Sequence, residues 1–298
     1  MIENLAALTT EARNPATADL DSRSTADLVR ALHACDQEAV DAVGRESERI
    51  AAAIDAIALR LERGGRLFYS GAGTSGRLGV LDASECPPTY NTPPEMVQGL
   101  IAGGDHALRH PVEGAEDDET QGRRDLETHG FSANDVLVGI AASGRTPYVL
   151  GGIAYARALG ALTIGLSCVA GSRLAQAAEL EITPVTGPEA VTGSTRMKAG
   201  TATKLVLNML STGALVRLGY VYGNLMVNVQ PTNAKLRDRA ARIVSTVTGL
   251  ETAAASTLIE QAGSVKTAIV MHQLQLDRAA AEDRLREVGG SLRRALRQ

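Results

Sequence analysis

The chain has 298 residues, 44% of them hydrophobic, with 30 Lys+Arg against 34 Asp+Glu and a formal net charge of −4. That length holds one large domain with an appendage or two domains, and the mixed, slightly acidic charge argues against the basic surface of a nucleic-acid binder. Aromatics make up 3% and Trp is absent, which leaves little material for base-stacking platforms.

The opening stretch MIENLAALTTEARNP lacks a basic n-region and an apolar h-region and does not read as a signal peptide. Residues 24–43 and 46–63 carry apolar side chains at helical spacing, and the second run stops at Gly64-Gly65. Short apolar runs follow at 66–70, 135–143, 162–168 and 180–186, and residues 148–160 supply a helix between two of them. Near-continuous apolar strands alternating with helices predict a mostly parallel sheet covered on both faces. Residues 201–219 are apolar nearly all round, which predicts a helix buried in the core or in a subunit interface. Past 231–236 no strand-like run remains, only short helical stretches broken by glycines. The expected organisation is therefore an N-terminal helical segment (1–45), an α/β domain (46–230) and a small all-helical C-terminal domain (231–298). No run approaches the roughly 18 apolar residues of a membrane span, so no membrane partner is expected. Cys35, Cys86 and Cys168 are odd in number and widely spaced, which predicts neither a disulfide framework nor a C-x-x-C metal site but a reduced, cytoplasmic setting.

One stretch raises a specific question. Residues 71–76 read GAGTSG after an apolar run, which matches the dinucleotide fingerprint G-x-G-x-x-G. A dinucleotide site needs a following helix, a second strand and an acid at that strand's end. The next segment, RLGVLDASECPPTYNTPPEM, holds four prolines within 87–94 and predicts no second strand and no such acid. The small residues suggest another ligand. A glycine-rich strand-to-helix turn presents free N–H groups and a positive dipole end to a phosphate, and beside Gly73 the residues Thr74 and Ser75 add hydroxyl donors. A second turn of this kind, Ser143-Gly144-Arg145-Thr146, follows the run DVLVGIAA. Two such turns at the carboxyl ends of parallel strands converge on one crevice and suit a single phosphomonoester. Either turn alone is equally what any strand-to-helix connection looks like.

Other candidates are weaker on the residues alone. Arg145, Arg196 and Lys198 lie near the turns and read as anion partners or as ordinary surface charge; Ser194 and Thr195 read as ligand contacts or as helix caps. Cys86 has no base near it in sequence. His106 and His110 with Asp105 lack a third metal ligand, and no metal is expected.

The paired turns GAGTSGR and SGRTPY resemble the sugar isomerase (SIS) fold, a three-layer α-β-α arrangement that binds phosphosugars. Longer strings are more specific: GAGTSGRLGVLDASECPPT (71–89), GLIAGGDHALRHPVEGAEDDE (99–119), VTGSTRMKAGTATKLVLNMLST (191–212) and MVNVQPTNAKLRDRAARIV (226–244). They are similar to the N-acetylmuramic acid 6-phosphate etherases over nearly the whole chain. The resemblance implies cleavage of the D-lactyl ether of that sugar in the bacterial cytoplasm, no metal or organic cofactor, and a homodimer. It also implies Glu85 as proton donor to the departing lactate and Glu116 as its partner, the base at C2; the wider SIS fold adds Glu189 as a substrate contact. The chemistry fits: the open-chain aldehyde acidifies the C2 proton, elimination across C2–C3 releases lactate, and water adds back, which calls for one acid and one base. Without the resemblance, Glu85 reads as a loop residue and Glu116 as part of a solvated acidic run. A sugar-phosphate-binding regulator and an aldose–ketose isomerase on the same fold are the competing readings.

Overall fold

The computed structural model describes residues 9–230 and 232–297. The first eight residues of the expected N-terminal segment and Pro231, at the expected domain boundary, lie outside the described residues. Contacts group the chain into two compact units, Met1–Ser84 with Glu95–Ser211, and Glu85–Pro94 with Thr212–Gln298. The later division falls at 211/212, inside a continuous helix where no change of composition marks it.

The first unit opens with α1 (Thr25–Gly44), capped by the Ser24 hydroxyl on the Asp27 N–H, and α2 (Ser47–Glu62). A β/α succession follows: β1 (Leu67–Gly71), α3 (Gly73–Tyr90), β2 (Val97–Ile101), α4 (Glu119–Thr128), β3 (Val136–Ile140), α5 (Pro147–Ala158), β4 (Leu162–Leu166), α6 (Arg173–Ala177), β5 (Leu180–Ile182) and α7 (Lys198–Arg217). The sheet has the order β2-β1-β3-β4-β5, every neighbouring pair parallel. The α3 connection leads left to β2 and the α5 connection leads right to β4. Right-handed crossovers in opposite directions put these helices on opposite faces, and β1 and β3 are buried along their full length. Phe68, Leu100 and Leu137 point to the face filled by Leu126 of α4 and Val149 and Ile153 of α5. The alternate residues Tyr69 and Ile140 meet α3 at Gly79, where an added Cβ would lie 2.9 Å from Tyr69 Cβ.

The expectation of no second strand after GAGTSG is corrected here. Helix α3 continues through Pro87 and Pro88, which fall in its last turn, and Asn91 at φ 55° ends it. Near a helix end the missing proline N–H groups disrupt little of the ladder. Strand β2, VQGLI, escaped notice because Gln98 and Gly99 break its apolar pattern. Gly99 is required by packing: a Cβ there would lie 2.5 Å from Val80 Cα, so α3 rests directly on β2.

The second unit holds the end of α3 and of α7, then α8 (Ala234–Thr248), α9 (Thr252–Ala262), α10 (Val265–Leu274), α11 (Arg278–Glu287) and α12 (Leu292–Ala295). Its core is built from Val244, Ile259, Ile269, Val270 and Leu292. Glycines at 249 and 263, both at positive φ, end α8 and α9.

Candidate functional site

Strands β1 and β3 are neighbours whose following helices diverge, so the carboxyl ends of this pair form the switch point of the sheet, where open α/β sheets bind ligands. Gly71 pairs with Ile140 in register, and the turns 72–75 and 141–146 therefore leave the sheet side by side.

The glycines of the first turn have separate jobs. Gly71 and Gly76 are packing positions: a Cβ on Gly76 would lie 2.6 Å from the Gly71 carbonyl oxygen and from Ile101 Cγ1. Gly73 takes φ +53°, a left-handed conformation that side chains disfavour. The fingerprint glycines thus let a helix start tight against its strand. The residues that close β2 and follow it, Ile101, Ala102 and Gly103, include no acid for a ribose. The first N–H groups of α3 have no intrahelical acceptor, and Thr74 and Ser75 stand half-buried beside them.

In the second turn, Gly144 at φ +67° would drive a Cβ to 2.3 Å from Ser172 Oγ. Its carbonyl accepts from Leu174 N at 2.9 Å, which fixes the turn. Ser143, Arg145 and Thr146 are half-buried. Thr146 occupies the N-cap of α5, ahead of Pro147, without a side-chain capping bond. A third loop meets the first: the Cβ position of Gly200, in the first turn of α7, lies 3.6 Å from Thr74 Cγ2, and the half-buried Ser194 and Thr195 precede it.

The acidic run 116–119 separates into different roles. Gly114 at φ +74° enters a single 3-10 turn, Ala115–Asp117, that carries the exposed Glu116. Asp118 caps α4 by accepting from Gln121 N at 2.9 Å. A cavity of about 210 Å³ opens beside the first turn, lined by Gly73, Arg77, Ala107, Glu113 and Glu116 among others. Glu85 is exposed on α3, falls in the second unit's segment and does not line this cavity.

Two expected contacts are engaged elsewhere. Glu189 is fully buried and its carboxylate accepts from the Lys198 and Ala199 N–H groups at 2.8 and 2.9 Å, so it caps α7. Burial pushes its pKa up, against those two backbone donors and the Lys198 charge. The buried Lys198 ammonium donates to Glu38 and to the Pro188 carbonyl. Cys86 and Cys168 are buried, and desolvation pushes the Cys168 thiol up to about 12. His106 and His110 stack ring on ring at 4.8 Å, and among the described residues no group of three or more His, Cys, Asp or Glu is arranged to hold a metal.

Sequence reasoning missed Arg77. Its Nε donates to the Leu108 carbonyl at 3.0 Å and its Nη2 to the Ala107 carbonyl at 2.7 Å, and among the described residues it is the one cation lining the cavity of Glu116. Its position near the start of α3, next to Gly76, was the available signal.

A parallel 2-1-3-4-5 sheet with paired Ser/Thr-Gly turns at its switch point defines a SIS-domain protein. The family model of the SIS domain matches residues 127–213, that of the glucokinase regulatory protein N-terminal SIS domain matches 49–157, and that of the HYPK UBA domain matches 267–298. A solved Bacteroides fragilis structure described as a phosphosugar isomerase involved in capsule formation superposes with a TM-score of 0.50 at 17% identity, over 66% of this chain and 94% of that one. At that identity it speaks for the fold alone. The curated relatives go further. The chain is 54% identical to the N-acetylmuramic acid 6-phosphate etherase of Rhodopirellula baltica over 99% of its own length and 98% of the relative's. It is 54% identical to that of Escherichia coli over 96% and 97%, and 51% identical to that of Lactobacillus gasseri over 97% and 98%. The chain belongs to the N-acetylmuramic acid 6-phosphate etherase family.

Proposed function

We propose that this chain cleaves the D-lactyl ether of N-acetylmuramic acid 6-phosphate, giving N-acetylglucosamine 6-phosphate and D-lactate, as a carbon–oxygen lyase of amino-sugar and peptidoglycan recycling. The observation that carries the reading is identity above 50% with etherases across nearly the full length of both chains. The crevice at the β1/β3 switch point, with its N–H-rich turn and its hydroxyls, supports a phosphate site there. Glu116 beside it supports a base that reaches C2 while the phosphate is held.

The steps balance as follows. The base takes the C2 proton of the open-chain sugar, the electron pair forms the C2–C3 double bond, and the C3–oxygen bond breaks. The departing lactate oxygen takes a proton from the acid. Water then adds at C3 and C2 regains a proton, so one water is consumed overall. We assign the base to Glu116 and the acid to Glu85. The phosphate contacts are assigned to Gly73, Thr74, Ser75, Ser143, Gly144 and Thr146, with Arg145, Ser194 and Thr195 at the rim.

The protein works in this proposal as a cytoplasmic homodimer, without metal or organic cofactor. Leu81 and Met209, exposed beside the Asp82–Asn208 bond that joins α3 to α7, support a subunit contact on those helices. The match to a regulatory SIS domain over residues 49–157 favours a second reading, a sugar-phosphate-binding regulator. One assay separates these, and an aldose–ketose isomerase as well: purified protein is incubated with N-acetylmuramic acid 6-phosphate after exhaustive dialysis against EDTA, and D-lactate is measured. Release at enzymatic rates supports the etherase; none supports the regulator or the isomerase.

A further inference from the structure

Arg77 stands out because its guanidinium is half committed. Two of its five N–H groups are held by the Ala107 and Leu108 carbonyls, and the others have no partner among the described residues. A guanidinium fixed by two carbonyls is a pre-aimed anion receptor, since its fork matches a carboxylate and little rotamer freedom remains to be lost. The cavity it lines also holds Glu113 and Glu116, so it is the positive point among negative ones.

We infer that Arg77 binds the carboxylate of the lactyl group and so makes the enzyme specific for an acidic ether. The inference rests on the proposed etherase reading. The covalent structure of the substrate supplies the argument. The lactyl ether leaves from C3, next to the C2 from which Glu116 takes the proton, whereas the phosphate sits at C6, the far end of the sugar. An anion receptor that shares a cavity with the C2 base is therefore in reach of the lactyl carboxylate, while the free N–H groups and hydroxyls of the paired turns serve the phosphate. Binding the carboxylate also holds the leaving oxygen in place for elimination.

The product, N-acetylglucosamine 6-phosphate, keeps the phosphate and C2 but lacks this carboxylate, which gives a readout that a structural or phosphate-binding role would not spare. In Arg77→Ala, KM for the ether substrate is expected to rise about 10- to 100-fold, the range for losing a hydrogen bond to a charged group. Solvent deuterium should enter C2 of the product at the wild-type rate and with the wild-type KM. Arg77→Lys keeps the charge and should fall between the two. Wild-type protein offered the lactyl carboxamide analogue should show the same loss as Arg77→Ala offered the acid, a comparison that needs no variant to fold. Loss of product exchange together with lactate release in a folded variant would overturn the inference, as would full activity of Arg77→Ala or equal turnover of acid and amide by the wild type. If wild-type protein releases no lactate but exchanges C2 of the product, the etherase reading itself fails and takes this one with it.

Discussion

At the scale of single residues, two glutamates carry the proposed chemistry and one lysine reports on the second unit. If Glu85 is the acid, Glu85→Ala should abolish lactate release and leave deuterium exchange at C2 of N-acetylglucosamine 6-phosphate intact, because exchange needs only the base. Glu116→Ala should lose both. Each loss should be roughly 10²–10⁴-fold in the step served. Exchange lost in Glu85→Ala and kept in Glu116→Ala would reverse the assignment. Lys266 is a separate case. Its ammonium donates to the Gly219 and Gly290 carbonyls, yet burial brings its pKa down from 10.5 to about 8. The unfolded chain then binds more protons between those values, so stability should climb as pH rises from about 8 to 10.5 and fall back as pH drops through 8. The gain is roughly 1–3 kcal/mol at about 1.4 kcal/mol per pKa unit, less solvent screening. Denaturant titrations of wild type and Lys266→Met across that range test it: the variant's stability should be flatter with pH, and parallel curves would remove Lys266 from the account.

At the scale of elements, the tightest joint in the first unit is between α4 and α5. An added Cβ on Gly122 would lie 1.9 Å from the Tyr148 carbonyl oxygen, and one on Gly151 would lie 2.0 Å from that of Glu119. Backbone meets backbone at both points, so no side-chain rotation can relieve the contact. Gly122→Ala or Gly151→Ala should cost at least about 2–3 kcal/mol, the upper range for overpacking, and should raise KM as well, because α5 carries the Ser143–Thr146 turn at its start. Thermal melts and steady-state kinetics check this, and wild-type stability in either variant would refute it. The same elements show what a sequence can and cannot display. Strands β1, β3 and β4 were legible because burial on both faces demands unbroken apolar runs. Helix α4 was not, since only Gly122 and Leu126 of its ten residues are buried, too few for a periodic stripe. The two strand-to-helix turns were legible because glycine and small hydroxyl residues at fixed spacing mark them. Arg77 was not, because its partners are backbone carbonyls 30 and 31 residues away, which no residue type encodes. Glu189 shows a related limit: an acid before a loop looks the same whether it faces a ligand or turns inward to cap a helix.

At the scale of the molecule, the homodimer is the untested assembly. Light scattering under assay conditions should return twice the 31.1 kDa chain mass, and a monomer mass would count against the proposal. Helix α7 bears on it, since it buries Ala202, Val206, Leu210 and Ala214 while leaving Met209 and Val216 more than 40% exposed within one chain. The apolar run at 201–219 was read as core or interface, and the single chain accounts for the core side of it.

The discontinuous second unit has a consequence in time. Residues 85–94 emerge from the ribosome before 95–211, yet they belong with 212–298. At about 5–20 residues per second this segment waits roughly 6–24 s for its partners. During that interval Tyr90, whose hydroxyl ends up on Thr212 Oγ1, has no such partner, and Cys86, 2% exposed in the finished chain, is expected to be accessible to alkylating agents. Nascent chains arrested at Ser211 should therefore alkylate at Cys86 within seconds, and released full-length chains should resist until denatured. Equal protection in both would mean that the first unit shelters the segment by itself.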